Sequence, residues 1–139
     1  MNKLSRYFVL SLSLSASLLL SQPACAEIAV IINLNSPIAK MPTEQAAQYY
    51  IGKASDFTPI EQAKDSPIRR EFHEKVTTKT EPQLQAIWAR IEFSGKGSSP
   101  RAMSSDADVK KAVAADAKAI GYINKSAVDG SVKVLLTLP

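Results

Sequence analysis

The chain has 139 residues, of which 45% are apolar and 22% charged, with a formal net charge of +4. That is one domain's worth of length. Ordinary globular composition excludes a disordered chain, a collagen-like repeat and a disulfide-stapled miniature, and the length leaves no room for a separate cofactor domain.

The N-terminus reads as a secretory signal. Lys3 and Arg6 give a basic start, Tyr7 to Leu20 carries no charge, and Ala24-Cys25-Ala26 supplies small residues for cleavage after Ala26. The apolar run is shorter and richer in serine than a membrane-spanning helix of about 20 residues. Gln22 stands where a lipid anchor on Cys25 needs an aliphatic residue. Cleavage is expected to release Glu27 to Pro139, 113 residues, into the periplasm as one domain. It removes Lys3, Arg6 and no acid, so the charge falls from +4 to +2, and the only cysteine is lost with it. A near-neutral chain without thiols predicts no nucleic-acid partner and no disulfide framework.

Ile28 to Ile32 is a continuous β-branched run that predicts a strand buried on both faces, as in a parallel sheet. A turn over Asn33 to Pro37 follows. Thr43 is expected to cap a helix that runs to about Ile51 and stops at Gly52. Phe57 to Glu61 predicts a strand that Pro59 makes short or places at an edge. Ser66 caps a second helix with Pro67 at its first position, and Ile68, Phe72 and Val76 form its buried stripe.

Thr80 and Gln83 have the spacing of a capping box. Behind it, Leu84, Ile87, Trp88 and Ile91 give the strongest helical period in the chain. Ser94 to Pro100 is a loop by composition. Ser105 caps a fourth helix to Ala115, with Val109, Ala112 and Val113 inside. Ala119 to Ile123 and Ser131 to Leu136 complete the strands. Strands alternating with helices predict an α/β fold with helices packed on a small sheet.

The side-chain inventory argues against catalysis. His73 is the only histidine and reads as a surface helix residue. Ser66 lies seven residues away on the same helix, about 10 Å along its axis, too far for a nucleophile and its base. One histidine without thiolates does not make a zinc site. Asp106 and Asp108 read as acids welcomed by a helix N-terminus, and Gly95-Lys96-Gly97 lacks the spacing of a phosphate loop. Arg69 and Arg70 stand in the first turn of the Ser66 helix, where cations oppose the helix dipole. A bound oxyanion would reverse that penalty; the bland alternative is an ordinary capped helix with exposed arginines.

Four stretches in register resemble the substrate-binding proteins of phosphate ABC transporters, particularly short, single-lobe relatives. They are IAVIINLNSPIAKMPTEQAAQYYIGK (Ile28 to Lys53), Ser66 with Arg69 and Phe72, WARIEFSGKGSSP (Trp88 to Pro100) and AIGYI (Ala119 to Ile123). The resemblance implies a single three-layer lobe of the periplasmic-binding-protein type, a small mixed or parallel sheet with helices on both faces. It implies no cofactor. It implies that Ser66 and Arg69 hold phosphate or a related oxyanion; Arg70, in the same first turn, joins them as a candidate on the charge argument alone. Departures from the pattern are Pro67 and Ile68, where the family has Gly and Thr, and Gln62, where it has Arg.

The implied function is weak oxyanion binding for ABC-type uptake, with transporter membrane subunits or a second lobe from another chain as partners. On this reading Arg69→Ala removes anion affinity and leaves the fold intact. The alternative is a non-catalytic periplasmic interaction module, a homodimer or adaptor, to which Tyr49, Tyr50 or Tyr122 contributes an apolar face.

Overall fold

A computed structural model describes residues 26–139; the export-signal reading falls on residues outside them, Ala26 apart. Among the described residues five strands form one mixed sheet. They are β1 (Ile28–Asn33), β2 (Thr58–Gln62), β3 (Arg101–Met103), β4 (Ala119–Asn124) and β5 (Val132–Leu138), in the spatial order β3-β2-β4-β1-β5. Strand β2 runs parallel to β3 and β4, and β1 runs antiparallel to β4 and β5. The helices are α1 (Thr43–Tyr50), α2 (Pro67–Lys75), α3 (Glu81–Phe93) and α4 (Asp106–Ala115). None of the described helices is long and apolar enough to cross a membrane.

Period-two alternation explains why β1 is buried at every residue. Ile28, Val30 and Ile32 enter a core shared with α1 and α2, while Ala29 and Ile31 enter a second core beneath α4. Burial on both faces was expected to mean parallel neighbours. Here it follows from helices covering each face, and both neighbours of β1 are antiparallel. Strand β4 repeats the pattern, with Ile120 and Tyr122 on one side and Ala119 and Ile123 on the other. Gly121 lets α4 lie close, because a β-carbon there would stand 2.7 Å from Val109 Cγ1 and 3.1 Å from Val113 Cγ2.

Other expectations shift in place. Strand β2 is interior, flanked by β4 and β3, despite Pro59. Pro59 pairs with Ile120 near the start of the strand, and pairing to β3 begins one residue later at Ile60. Pro42 takes the cap position of α1 and Thr43 is its first helical residue. Gly52 ends that helix with φ +74°. Ser66, Thr80 and Ser105 cap α2, α3 and α4 as expected, and Thr80 with Gln83 makes the full capping box. Strand β3 had no sequence signal, since it is three residues long and mostly exposed. In α3 only Leu84 is buried. Ile87, Trp88 and Ile91 are half-buried against the rim, where Trp88 Nε1 donates to Tyr50 O at 3.0 Å.

The tyrosines are core residues rather than a docking face: Tyr49, Tyr50 and Tyr122 are each 2% exposed or less. Tyr50 OH lies 3.2 Å from the carbonyls of both Ile60 and Ile120, and Tyr122 OH donates to Glu61 Oε1 at 2.7 Å. Burial, reinforced by the Glu61 carboxylate, pushes both phenols well above their ordinary value of about 10. The stabilisation is complete below about pH 10 and is lost as pH rises further, because the unfolded chain ionises first. Stability to urea is therefore expected to fall above about pH 10, and Tyr50→Phe should make that fall shallower by about 1.4 kcal/mol per pH unit. An unchanged slope in Tyr50→Phe would contradict the assignment.

Candidate functional site beside helix α2

Parallel strands β2, β3 and β4 present their carboxyl ends on one rim of the sheet, where open α/β folds place ligands. Helices α2 and α4 follow β2 and β3 and start at that rim. Ser66 Oγ accepts from Arg69 N at 3.4 Å and donates to Ala63 O at 2.7 Å, so its proton is already used. Pro67 contributes no amide there. Gln62 Nε2 donates to Asp106 Oδ1 at 2.7 Å and Tyr122 O at 3.0 Å, while Asn124 Nδ2 donates to Asp106 Oδ2 at 2.8 Å. Asp106 thus begins α4, as its place in the sequence predicted, and also ties the ends of β2 and β4 together.

Arg69 is engaged on every side. Its Nε and one terminal nitrogen donate to both oxygens of Glu81 at 3.0 and 2.7 Å, and the other terminal nitrogen donates to Gln62 O at 2.9 Å. The nitrogen facing Glu81 also lies 3.2 Å from Glu61 Oε2. This is the two-pronged carboxylate grip that a guanidinium fork fits best. An oxyanion reaching Arg69 must displace Glu81 or share the fork with it.

Behind Arg69 lies a buried polar row that the sequence reading did not contain. Glu61 is 4% exposed, His73 3% and Thr77 6%. His73 is therefore an interior residue, not a surface one. Its Nε2 stands 2.9 Å from Glu61 Oε2, and its Nδ1 stands 3.0 Å from Thr77 Oγ1. A hydroxyl, an imidazole and a carboxylate in a row have the spacing of a nucleophilic triad. Thr77, however, lines neither of the cavities that flank Arg69, and its hydroxyl is also 3.2 Å from His73 O. The row holds the helix to the sheet. Its signal was legible in principle: Arg69, His73 and Thr77 recur every fourth residue, one position after the apolar stripe Ile68, Phe72 and Val76.

The Arg69–Glu81 pair separates two cavities of about 280 and 260 Å³. The larger runs along the flank of α2 and is the electrostatically distinctive one. Lys64, Arg70 and Lys79 border it together with Arg69. Among the described residues the charged ends of Lys64, Arg70 and Lys79 have no hydrogen-bond or ion-pair partner, whereas Arg69 is neutralised by Glu81. Glu74 adds one negative charge to the wall. The residues lining the cavity therefore carry a net charge of +2, Lys64, Arg69, Arg70 and Lys79 against Glu74 and Glu81, with the Glu61 carboxylate behind Arg69. Thr78, a β-branched residue at φ +57°, forms the turn that presents Lys79. The structure thus brings Arg69 and Arg70 to one cavity and leaves Ser66 outside its lining; Lys64, Lys79, Glu74 and Glu81 were not anticipated.

No family model matches the chain, and no curated protein matches it. Several solved structures do. One is a Clostridium perfringens protein assigned as a phosphate ABC transporter substrate-binding protein, solved with bound phosphate, at 24% identity and TM-score 0.64. Another is an ABC-type phosphate transport receptor from Vibrio cholerae, at 19% identity and TM-score 0.63. A third is PstS from Borrelia burgdorferi, at 15% and 0.59. The fold is theirs. Each match covers 79% of this chain and 45–47% of the other, so the chain spans about half the length of these proteins. The α/β lobe with helices on both faces is as expected from the resemblance.

Proposed function

We propose that residues 27–139, freed from an N-terminal export signal after Ala26, act in the periplasm as a single solute-binding lobe. The lobe takes phosphate or a related oxyanion weakly and performs no catalysis. The observation that carries this reading is the cavity beside α2, with three cations around it that are unpaired among the described residues, on a fold shared with phosphate-binding proteins. Arg70 reaches the anion directly, Arg69 backs it from the wall, and Ser66 holds the helix start that aims both. The open cavity leaves the ligand partly hydrated, which keeps affinity low. The other half of a two-lobe receptor would come from another chain, and ABC transporter membrane subunits would be the recipients.

Titration calorimetry of the mature protein at low salt is expected to show phosphate and sulfate binding on the order of millimolar. Arg70→Ala, which removes one charge-assisted contact from an exposed position, should weaken it about tenfold without loss of stability. Absence of heat at millimolar ligand would contradict the reading. It would favour the second one, a non-catalytic interaction module, which the occupied Arg69 fork supports.

A further inference from the structure

We infer that the cavity beside α2 is shaped for a small hydroxyl-bearing phosphate monoester, a polyol or sugar phosphate, rather than for free orthophosphate. The inference rests on the anion-binding reading above and specifies its ligand class. Three features of the wall bear on the choice.

The first is size. A volume of about 280 Å³ corresponds to about nine waters at roughly 30 Å³ each, whereas orthophosphate has five heavy atoms. A three-carbon polyol phosphate has about twice as many and would fill the space. The second is charge. The net positive charge of the wall accommodates a phosphate monoester dianion as it does hydrogen phosphate, so size and acceptors make the distinction. The third is the presence of acceptors. Glu74 and Glu81 stand in the same wall, and a carboxylate accepts hydrogen bonds from hydroxyls but repels phosphate oxygens. A hydrogen-phosphate dianion has a single P–OH to offer those two carboxylates and otherwise meets them as a penalty; the ester places its two hydroxyls on them and its fully deprotonated phosphate on the cations. The Arg69–Glu81 pair then stays closed, because Glu81 serves as wall and acceptor at once.

The test compares orthophosphate with glycerol 3-phosphate by calorimetry, at a pH where both are dianions, on the mature wild-type protein and on Glu74→Gln. Glu74 is exposed and has no hydrogen-bond or ion-pair partner among the described residues, so the substitution spares the fold. The expected result is glycerol 3-phosphate binding about tenfold tighter than orthophosphate in the wild type. In Glu74→Gln orthophosphate should tighten several-fold while glycerol 3-phosphate weakens, so the preference collapses. Equal affinities in the wild type, or the same direction of change for both ligands in Glu74→Gln, would overturn the ligand class and leave the anion reading standing. If neither ligand binds, both fail together.

Discussion

Replacing Glu61 with alanine is expected to destabilise the fold by about 3–5 kcal/mol, the cost of breaking a buried ion pair by removing one partner. Three groups converge on this carboxylate. Tyr122 OH donates to it at 2.7 Å, His73 Nε2 faces it at 2.9 Å, and Arg69 approaches to 3.2 Å. Alanine leaves the tyrosine O–H and the imidazole Nε2 buried without that partner. A loss of that size is a large share of the total stability of about 5–15 kcal/mol available to a domain of this length. Urea denaturation measures it directly. Glu61→Gln keeps an oxygen for Tyr122 and should lose less. A loss below about 1 kcal/mol in Glu61→Ala would show that the carboxylate is not what holds α2 against β2.

The second large effect is Arg69→Ala, expected to cost about 3 kcal/mol. This corrects the expectation that the substitution leaves the fold intact. The Arg69 side chain is 11% exposed and faces both Glu61 and Glu81, so its removal leaves the buried Glu61 carboxylate without that cation. Lysine should not restore the stability, because a single ammonium cannot grip both oxygens of Glu81 while reaching Gln62 O. A double-mutant cycle with Glu81→Gln separates the pair from its surroundings, and a coupling well above 0.5 kcal/mol is expected. Loss of anion binding in Arg69→Ala alone is therefore ambiguous, and Arg70→Ala is the cleaner probe of the cavity.

The parts of this fold that were legible in the sequence are those set by local rules. Caps at Ser66, Thr80 and Ser105 depend on hydroxyls three residues from an amide. The end of α1 depends on a left-handed glycine. Strand direction was not legible, because the run at Ile28–Ile32 records only that both faces are covered. Strand β3 was invisible because three residues pairing at an exposed edge need no apolar pattern.

The site divides along the same line. Arg69 and Arg70 stood out as cations at the wrong end of a helix, and the structure shows how the first of them is compensated. Its partners Glu61 and Glu81 lie on β2 and α3, brought to Arg69 by tertiary packing that sequence spacing does not record. His73 looked like a surface residue because its neighbours in sequence, Arg70, Glu71, Glu74 and Lys75, are all charged. Only the position of β2 beneath α2 shows that its own ring faces inward to a carboxylate.

The most direct test of the central claim, that an oxyanion is held beside α2, is a crystal structure of the mature protein soaked with phosphate. Tetrahedral density within the cavity bordered by Lys64, Arg70 and Lys79, with the Arg69–Glu81 pair intact behind it, is the expected result. An empty cavity, or density confined to the Ser66 helix start with Arg69 swung away from Glu81, would contradict it.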